Sequence, residues 1–290
     1  MRIAFAQERQ KMRVVFRRVH KSFAQKSQRV QVLHDVNFSI EEGEFICVIG
    51  PSGCGKSTLI SLIAGLEFPD TGEIFVDSKK VEGPSSDRLV VFQEAALFPW
   101  LTVLDNVEFG LKIKGVSEKE RKERAFEAIK MVHLGRFVNA HPHQLSGGMR
   151  QRTAIARALV LDPKILLMDE PFAALDAQTR QMLQGELQEI WRKTKKTVLF
   201  VTHNVREATF LADRVLELAA RPATVKKEYP ITIGRPRHDQ DPGLLAVQTK
   251  IMSSLKDEIE KVARQELDVD YQVSKGGALT PVDRNIGSNI

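Results

Sequence analysis

The stretch "IGPSGCGKSTLISLIAGL", residues 49–66, places a run of mostly small residues directly before an apolar run. Glycine permits backbone bends with positive φ and lets a ligand approach the main chain, so this loop can turn its N–H groups toward an anion. An apolar strand candidate precedes the loop and a helix-like segment follows it, which is the context that a phosphate-binding loop requires. The pattern G-x-x-x-x-G-K-[ST] is met at Gly50, Gly55, Lys56 and Ser57, and it predicts a site for a nucleoside triphosphate.

In such a site, the first turn of the following helix adds the positive end of its dipole to the N–H groups of the loop. We expect Lys56 to neutralise the β- and γ-phosphates and the Ser57 hydroxyl to bind Mg²⁺. The predicted nucleotide-binding residues are those of the whole loop: Gly50, Pro51, Ser52, Gly53, Cys54, Gly55, Lys56, Ser57 and Thr58.

A second motif, "KILLMDEP", contains four consecutive apolar residues, as expected for a strand that is buried on both faces. Its carboxyl end delivers Asp169 and Glu170 to the sheet edge where the phosphate loop is expected. There Asp169 can hold Mg²⁺ through water, and Glu170 can orient and polarise the water that attacks the γ-phosphate. The alternative, an ordinary acidic turn after a strand, weakens once the motif is paired with residues 50–58.

A third motif, "HPHQLSGGMRQRTAIARAL", begins a helix at Ser146. A helix that starts Ser-Gly-Gly offers a capped N-terminus and therefore a second place where a phosphate can bind. N-caps of this kind are common, so the motif alone is weak evidence for function.

Length and composition limit the number of domains and the class of protein. With 290 residues and 42% hydrophobic residues, the chain can form one large domain, or one domain with an appendage. Its apolar runs fall short of the roughly 20 residues of a membrane span, and its first ten residues do not resemble a signal peptide, so we expect a cytosolic chain. Cys47 and Cys54 are expected to be a core residue and a small loop residue, which makes redox chemistry unlikely.

The net charge of +6 and the pI near 9.3 have two explanations. Basic residues alternate with acidic ones in "SEKERKERAFEAIK", as on a solvated helix face, and cluster only briefly in "RKTKK". The other explanation is a basic face close to an anionic bilayer. Nucleic acid is not an expected partner.

The periodicity of the chain predicts an α/β fold, and the phosphate-loop pattern at residues 50–57 makes its class that of the P-loop NTPases. Residues 12–46 alternate apolar and polar positions, which indicates an N-terminal antiparallel β subdomain, and later apolar runs separated by helical stretches indicate a mostly parallel sheet. The predicted units are a flexible extension at 1–11, a nucleotide-binding domain at 12–235 with a helical subdomain inserted at about 100–160, a C-terminal helical segment at 236–266, and a disordered tail at 267–290.

The order of the motifs resembles the ATP-binding subunit of an ATP-binding cassette (ABC) transporter over residues 12–235. The motifs are the Walker A loop at 50–58, Gln93 after a strand, the signature "LSGGM", Walker B at 165–170, "AALD" ending in Asp176, and "VTHN" containing His203. The segments "LFPWLTVLDNVEFGL" and "LADRVLELAARPATV" are most similar to the nitrate, sulfonate and taurine importer branch of that family.

The resemblance implies roles for further residues. Phe23 corresponds to the aromatic residue that stacks on adenine, although core packing would also explain a phenylalanine there. Gln93 would contact Mg²⁺ or the attacking water, His203 would contact the γ-phosphate, and Asp176 belongs to the D-loop. The signature residues would cover ATP bound to the partner subunit: Leu145, Ser146, Gly147, Gly148 and Met149.

The resemblance also implies partners and a location. It implies a head-to-tail homodimer of nucleotide-binding subunits on the cytoplasmic face of the inner or plasma membrane. Two copies of a transmembrane permease and, indirectly, a solute-binding protein complete such a transporter. Between Gln93 and the helical subdomain, the apolar residues Leu97, Phe98 and Trp100 either line a groove for a permease helix or pack in the core.

Three features depart from the family pattern: Asn204 stands where Asp is usual, Met149 replaces the commoner Gln, and the polar tail is long. Two other classes of protein share some of the motifs. A P-loop kinase would not need the Ser-Gly-Gly helix or the histidine after a strand. A DNA-tethered ATPase would need a long coiled coil between Walker A and the signature, for which about 90 residues leave no room.

Overall fold

The computed structural model describes residues 12–25, 28–238, 240–267, 271–273 and 279–281. The predicted flexible extension at 1–11 lies outside the described residues, as does most of the predicted disordered tail. Within that tail, strands β11 (Tyr271–Val273) and β12 (Leu279–Pro281) pair antiparallel. Disorder of the tail as a whole stays a prediction.

The N-terminal part of the chain forms a four-stranded antiparallel sheet. Strands β1 (Met12–Gln25) and β2 (Gln28–Glu41) form a long hairpin, and β4 (Thr71–Val76) pairs with the other edge of β1. A two-residue strand, β5 (Lys79–Lys80), completes the order β2-β1-β4-β5. The alternation of residues 12–41 predicted the hairpin, since one face of an antiparallel sheet is buried.

A second, six-stranded sheet has the order β10-β9-β3-β8-β7-β6 and carries the predicted parallel strands. Five of its strands are parallel, and β10 pairs antiparallel with β9 at one edge. Its strands are β3 (Phe45–Ile49), β6 (Arg88–Val91), β7 (Ile165–Asp169), β8 (Thr197–Val201), β9 (Arg214–Leu218) and β10 (Val225–Pro230).

Seven α-helices surround the sheets within the described part of the chain. Helices α2, α3 and α4 pack on one another as the inserted helical subdomain, with two short 3₁₀ helices between α3 and α4. No helix among the described residues is both long and apolar enough to cross a membrane. The helices are α1 (Lys56–Ala64), α2 (Val103–Ile113), α3 (Glu118–Met131), α4 (Gly147–Leu159), α5 (Ala177–Thr194), α6 (Val205–Leu211) and α7 (Pro242–Leu267).

Two apolar clusters share strand β3. Phe45, Cys47 and Ile49 face the cluster that includes the helical subdomain, whereas Ile46 and Val48 face the cluster around α1 and the antiparallel sheet. Successive side chains of a strand point to opposite faces, and both faces of β3 are covered, so all five residues are buried. The loop that leaves β3 is therefore fixed between two cores.

Candidate functional site

The loop between β3 and α1 bends through Gly55, which is the N-cap of α1 and has φ 117°. A Cβ at this position would lie 2.8 Å from Cγ1 of Val32 and 2.9 Å from Cδ2 of Leu33. Both the positive φ and the close approach of β2 require a residue without a side chain. The loop consequently holds its backbone directly against the antiparallel sheet.

Lys56 opens helix α1 and is almost completely buried, with 6% of its surface exposed. Its Nζ donates hydrogen bonds to the carbonyl oxygens of Gly50, at 3.0 Å, and Pro51, at 2.9 Å. An ammonium group has three N–H donors, so these two bonds fix its position and leave one donor for a ligand oxygen.

An open cleft of about 330 Å³ lies on the loop. Phe23 lines it from the antiparallel sheet and is 36% exposed, so it is not a core residue; the Lys21 ammonium lies 4.8 Å from the centre of its ring. Glu170 lines the cleft from the carboxyl end of β7. The residues around the cleft are Phe23, Val32, Ser52, Gly53, Gly55, Lys56, Ser57, Thr58, Glu170 and Arg221.

Asp169 ends β7 and accepts a hydrogen bond from Ser57. Burial raises the pKa of the Asp169 carboxyl; the bond from Ser57 opposes that effect, and the negative charge of Glu170 adds to it. Two neighbouring carboxylates and a hydroxyl are hard oxygen donors of the kind that Mg²⁺ prefers. The residues present therefore fit a Mg²⁺ ion.

Glu170 adopts φ 44°, in the left-handed region that non-glycine residues rarely occupy. Its N–H donates to the carbonyl oxygen of Val201 on β8, which fixes the turn after β7. One carboxylate oxygen, Oε2, lies 2.9 Å from Nδ1 of His203. Two predicted site residues from adjacent strands are thus in direct contact.

Asn204 is the N-cap of α6, and its Oδ1 accepts a hydrogen bond of 3.2 Å from the N–H of Glu207. Asn and Asp cap helices about equally well, so this departure from the family pattern preserves the cap. Glu207 itself is buried, which raises the pKa of its carboxyl although Thr202 and Gln184 both donate hydrogen bonds to it. The neutral Asn204 adds no further negative charge beside this carboxyl.

Other predicted site residues do not line this cleft. Gln93 is exposed and follows β6, and Asp176 caps α5 by accepting a 2.9 Å bond from the N–H of Thr179. Ser146 caps α4 by accepting a 3.3 Å bond from the N–H of Met149. The signature residues Gly147, Gly148 and Met149 accompany Ser146 on this helix, and Leu145 is buried beside it.

Sequence reasoning missed two residues of the cleft wall. Val32 comes from β2 and touches the loop through its apolar side chain. Arg221 follows the end of β9, and its Nε donates a hydrogen bond to the carbonyl oxygen of Gly53. The one available signal was its place directly after a strand, in the segment "LAARPATV".

A phosphate loop between a parallel strand and a helix, with acidic residues at the end of a neighbouring strand, defines the fold class as a P-loop NTPase. The sequence model of the ABC transporter family matches residues 33–173. An uncharacterized ABC transporter ATP-binding protein of Methanocaldococcus jannaschii is 52% identical over 88% of this chain and 95% of that protein.

Two relatives have names that include a solute. The nitrate import ATP-binding protein NrtD of Synechocystis sp. is 49% identical over 77% of this chain and 84% of that protein. The aliphatic sulfonates import ATP-binding protein SsuB of Bacillus thuringiensis is 42% identical over 84% of this chain and 96% of that protein.

A solved dimer of an ATP-binding cassette, bound to ADP and inorganic phosphate in a post-hydrolysis state, matches with a TM-score of 0.67. It is 37% identical and covers 76% of this chain and 100% of that chain. The chain belongs to the family of ABC transporter ATP-binding subunits. It binds nucleotide and hydrolyses ATP, and the predicted fold class and family are confirmed.

Gly55→Ala tests the close packing of the loop. We expect it to lower the free energy of unfolding by about 1–3 kcal/mol, because the new Cβ meets Val32 and Leu33 at a strained φ. Gly185→Ala is the matched control, because nothing lies within 4 Å of a Cβ at that position. Gly185 is inside α5, where replacing glycine by alanine raises the free energy of unfolding by roughly 0.5–1 kcal/mol. Urea unfolding measures both; equal effects would contradict the packing argument.

Proposed function

We propose that this chain powers the uptake of a small solute, an anion such as nitrate or a sulfonate, or taurine, through a separate membrane permease. The main support is that the described residues form a nucleotide cleft while the capped signature helix lies apart from it. A single chain then holds two different halves of a site. The names of the nitrate and sulfonate relatives support the class of solute.

In the proposed reaction, the N–H groups of the loop and Lys56 hold the phosphate chain of ATP, and Phe23 stacks on the adenine. Ser57 and Asp169 would hold Mg²⁺, and Gln93 would be a further ligand. The ion supplies positive charge that neutralises the phosphate oxygens. Glu170 orients the attacking water, and His203, which touches Glu170, fixes that carboxylate and faces the γ-phosphate.

The proposed assembly is a head-to-tail homodimer. The helix α4 of one subunit presents Ser146 and the N–H groups of its first turn to ATP on the other subunit's loop. Asp176 caps α5 and lies in the segment that would cross the interface. The solved dimer of a related cassette supports a dimer of such chains.

The proposed permease surface is the segment 92–101, which joins β6 to the helical subdomain. Asn106, on α2, fixes its far end, because Oδ1 accepts from the N–H of Phe98 at 2.8 Å and Nδ2 donates to three backbone carbonyls of residues 98–102. Helix α4 fixes its near end: Gln151 donates to the carbonyl of Phe92, and Arg157 donates to those of Ala95 and Ala96. Movement of the signature helix would therefore move this segment.

The exposed part of that segment is aromatic. Trp100 is 71% exposed, and its ring centre lies 5.6 Å from that of Phe98, which packs on Phe109 at 4.6 Å. Leu97 packs against the core, so it does not belong to this surface. An exposed tryptophan that packs on the half-buried Phe98 suits an apolar helix face of a permease. A solute-binding protein would act on this chain only through the permease. The chain would lie peripherally on the cytoplasmic face of the membrane, and nucleic acid would not be a partner.

The chemistry is tested by two substitutions. Lys56→Ala should abolish ATP binding, because it removes the buried cation of the loop. Glu170→Gln should retain ATP binding while hydrolysis falls by roughly 100-fold or more, and it should accumulate a closed dimer. Calorimetric titration, phosphate release and size-exclusion chromatography measure these effects. Parent-like affinity of Lys56→Ala, or parent-like turnover of Glu170→Gln, would overturn the assigned roles.

The permease surface is tested by Trp100→Ala. The free energy of unfolding of the isolated variant should lie within about 0.5 kcal/mol of the parent's, and the variant should hydrolyse ATP normally. The reason is that Asn106 and Arg157 hold the segment in place without the indole. Co-purification with the permease and solute uptake should both fall. Phe126→Ala, an exposed aromatic residue on α3 of the same subdomain, is the control that should leave both unchanged. Full uptake by Trp100→Ala, or its unfolding, would contradict the proposal.

A further inference from the structure

We propose that Arg221 is a second cationic residue for the phosphate chain of ATP and that the C-terminal helix α7 positions it through Glu258. The proposal rests on the proposed nucleotide site. Neither residue belongs to the motifs that identified the family, and both come from the part of the chain beyond the matched family model, residues 33–173.

Arg221 lies beside the phosphate loop, where the phosphate chain of ATP would bind. It lines the same cleft as Phe23 and Lys56, and its Nε donates to the carbonyl oxygen of Gly53 inside the phosphate loop. Its Nη2 lies 2.8 Å from the position that a Cβ of Gly53 would occupy, so the guanidinium lies directly against the loop at Gly53. A guanidinium has five N–H donors, and one bond to Gly53 leaves four for other acceptors.

The charge of Arg221 suits this role better than a purely structural one. The side chain is exposed to the cleft, whereas a bond to a backbone carbonyl alone needs no charge. A planar guanidinium also binds phosphate oxygens in a bidentate manner, and it stays charged at every physiological pH. Together with the buried Lys56, it makes the cleft cationic on two sides of the loop.

Helix α7 holds the segment that carries Arg221. The N–H of Ala220, the preceding residue, donates a 2.9 Å hydrogen bond to Oε2 of Glu258 on α7. Glu258 is 1% exposed, and Lys226 and Lys261 reach its other oxygen at 3.0 and 2.7 Å. The contact is buried and charged, so it fixes the position of residue 220 relative to the helix.

A second buried carboxylate extends this link between α7 and the sheet. Glu217, on β9, is fully buried and accepts hydrogen bonds from the Tyr229 hydroxyl at 2.6 Å and the Ser254 hydroxyl at 2.8 Å.

Burial alone would raise the pKa of Glu258, but the bonds from Lys261, the Ala220 N–H and Lys226 outweigh it and lower the pKa to about 2. Glu258 therefore stays ionised, and the link persists over the physiological range of pH.

The test uses calorimetric titration of the full-length chain with MgATP at low and high salt. Arg221→Gln, which can still donate to Gly53, should weaken binding about tenfold at low salt, as for one charged hydrogen bond, and should flatten the salt dependence. Arg221→Lys should retain the salt dependence of the parent. Arg192→Gln, an exposed arginine on α5, is the control that should change nothing.

Two results would overturn the role of Arg221: parent-like affinity of Arg221→Gln, or weakened binding with the salt dependence of the parent. The second would mean that the side chain only braces the loop. Lys56→Ala in the same titration separates this proposal from the nucleotide site itself. If Lys56→Ala binds normally, the proposed site fails; if only Arg221→Gln binds normally, this inference alone fails.

The role of α7 is tested by a double-mutant cycle with Glu258→Gln. We expect a roughly threefold loss of MgATP affinity in the parent and no further loss in the Arg221→Gln background, since Glu258 acts through Arg221. Equal losses in both backgrounds, or no loss in the parent, would show that α7 does not position Arg221.

Discussion

The whole arrangement depends on one packing constraint: the phosphate loop passes between two sheets with no room for a side chain at Gly55. Val32 and Leu33 approach this position from the antiparallel sheet, while β3, buried on both faces, anchors the loop from the parallel sheet. The constraint brings the antiparallel sheet close enough for Phe23 to line the same cleft as Lys56. A cleft that has an aromatic ring on one side and a buried cation on the other follows from how two sheets pack around one helix.

The parallel sheet then adds the acidic groups. Because β7 and β8 end at the same edge as β3, Asp169, Glu170 and His203 meet beside the loop, and Ser57 and His203 each touch one of the carboxylates. The capped N-terminus of the signature helix α4 does not line this cleft. A chain that holds a phosphate cleft on one surface and a capped helix on another is suited to complete its site with a second copy.

The sequence was sufficient wherever a residue's role depends on local pattern. The glycine spacing located the loop, and four consecutive apolar residues before Asp169 located β7. Arg221, Val32 and Glu258 could not be predicted, because their positions in the site depend on contacts between segments far apart in the chain. The short strands β4 and β5 lack a long alternating pattern, and their conformation depends on pairing, of β4 with β1 and of β5 with β4. Leu97 packs on the core, which is one of the two alternatives that the sequence left open for it.

The central claim, that each site is built from the loop of one subunit and the signature helix of another, is tested most directly by mixing two inactive variants. Lys56→Ala lacks the loop cation, and Ser146→Arg blocks the signature helix. Each alone should be inactive, whereas an equimolar mixture should recover up to about a quarter of the parent's ATPase activity, because a mixed dimer keeps one intact site. No recovery, with mixed dimers shown to form, would contradict the account.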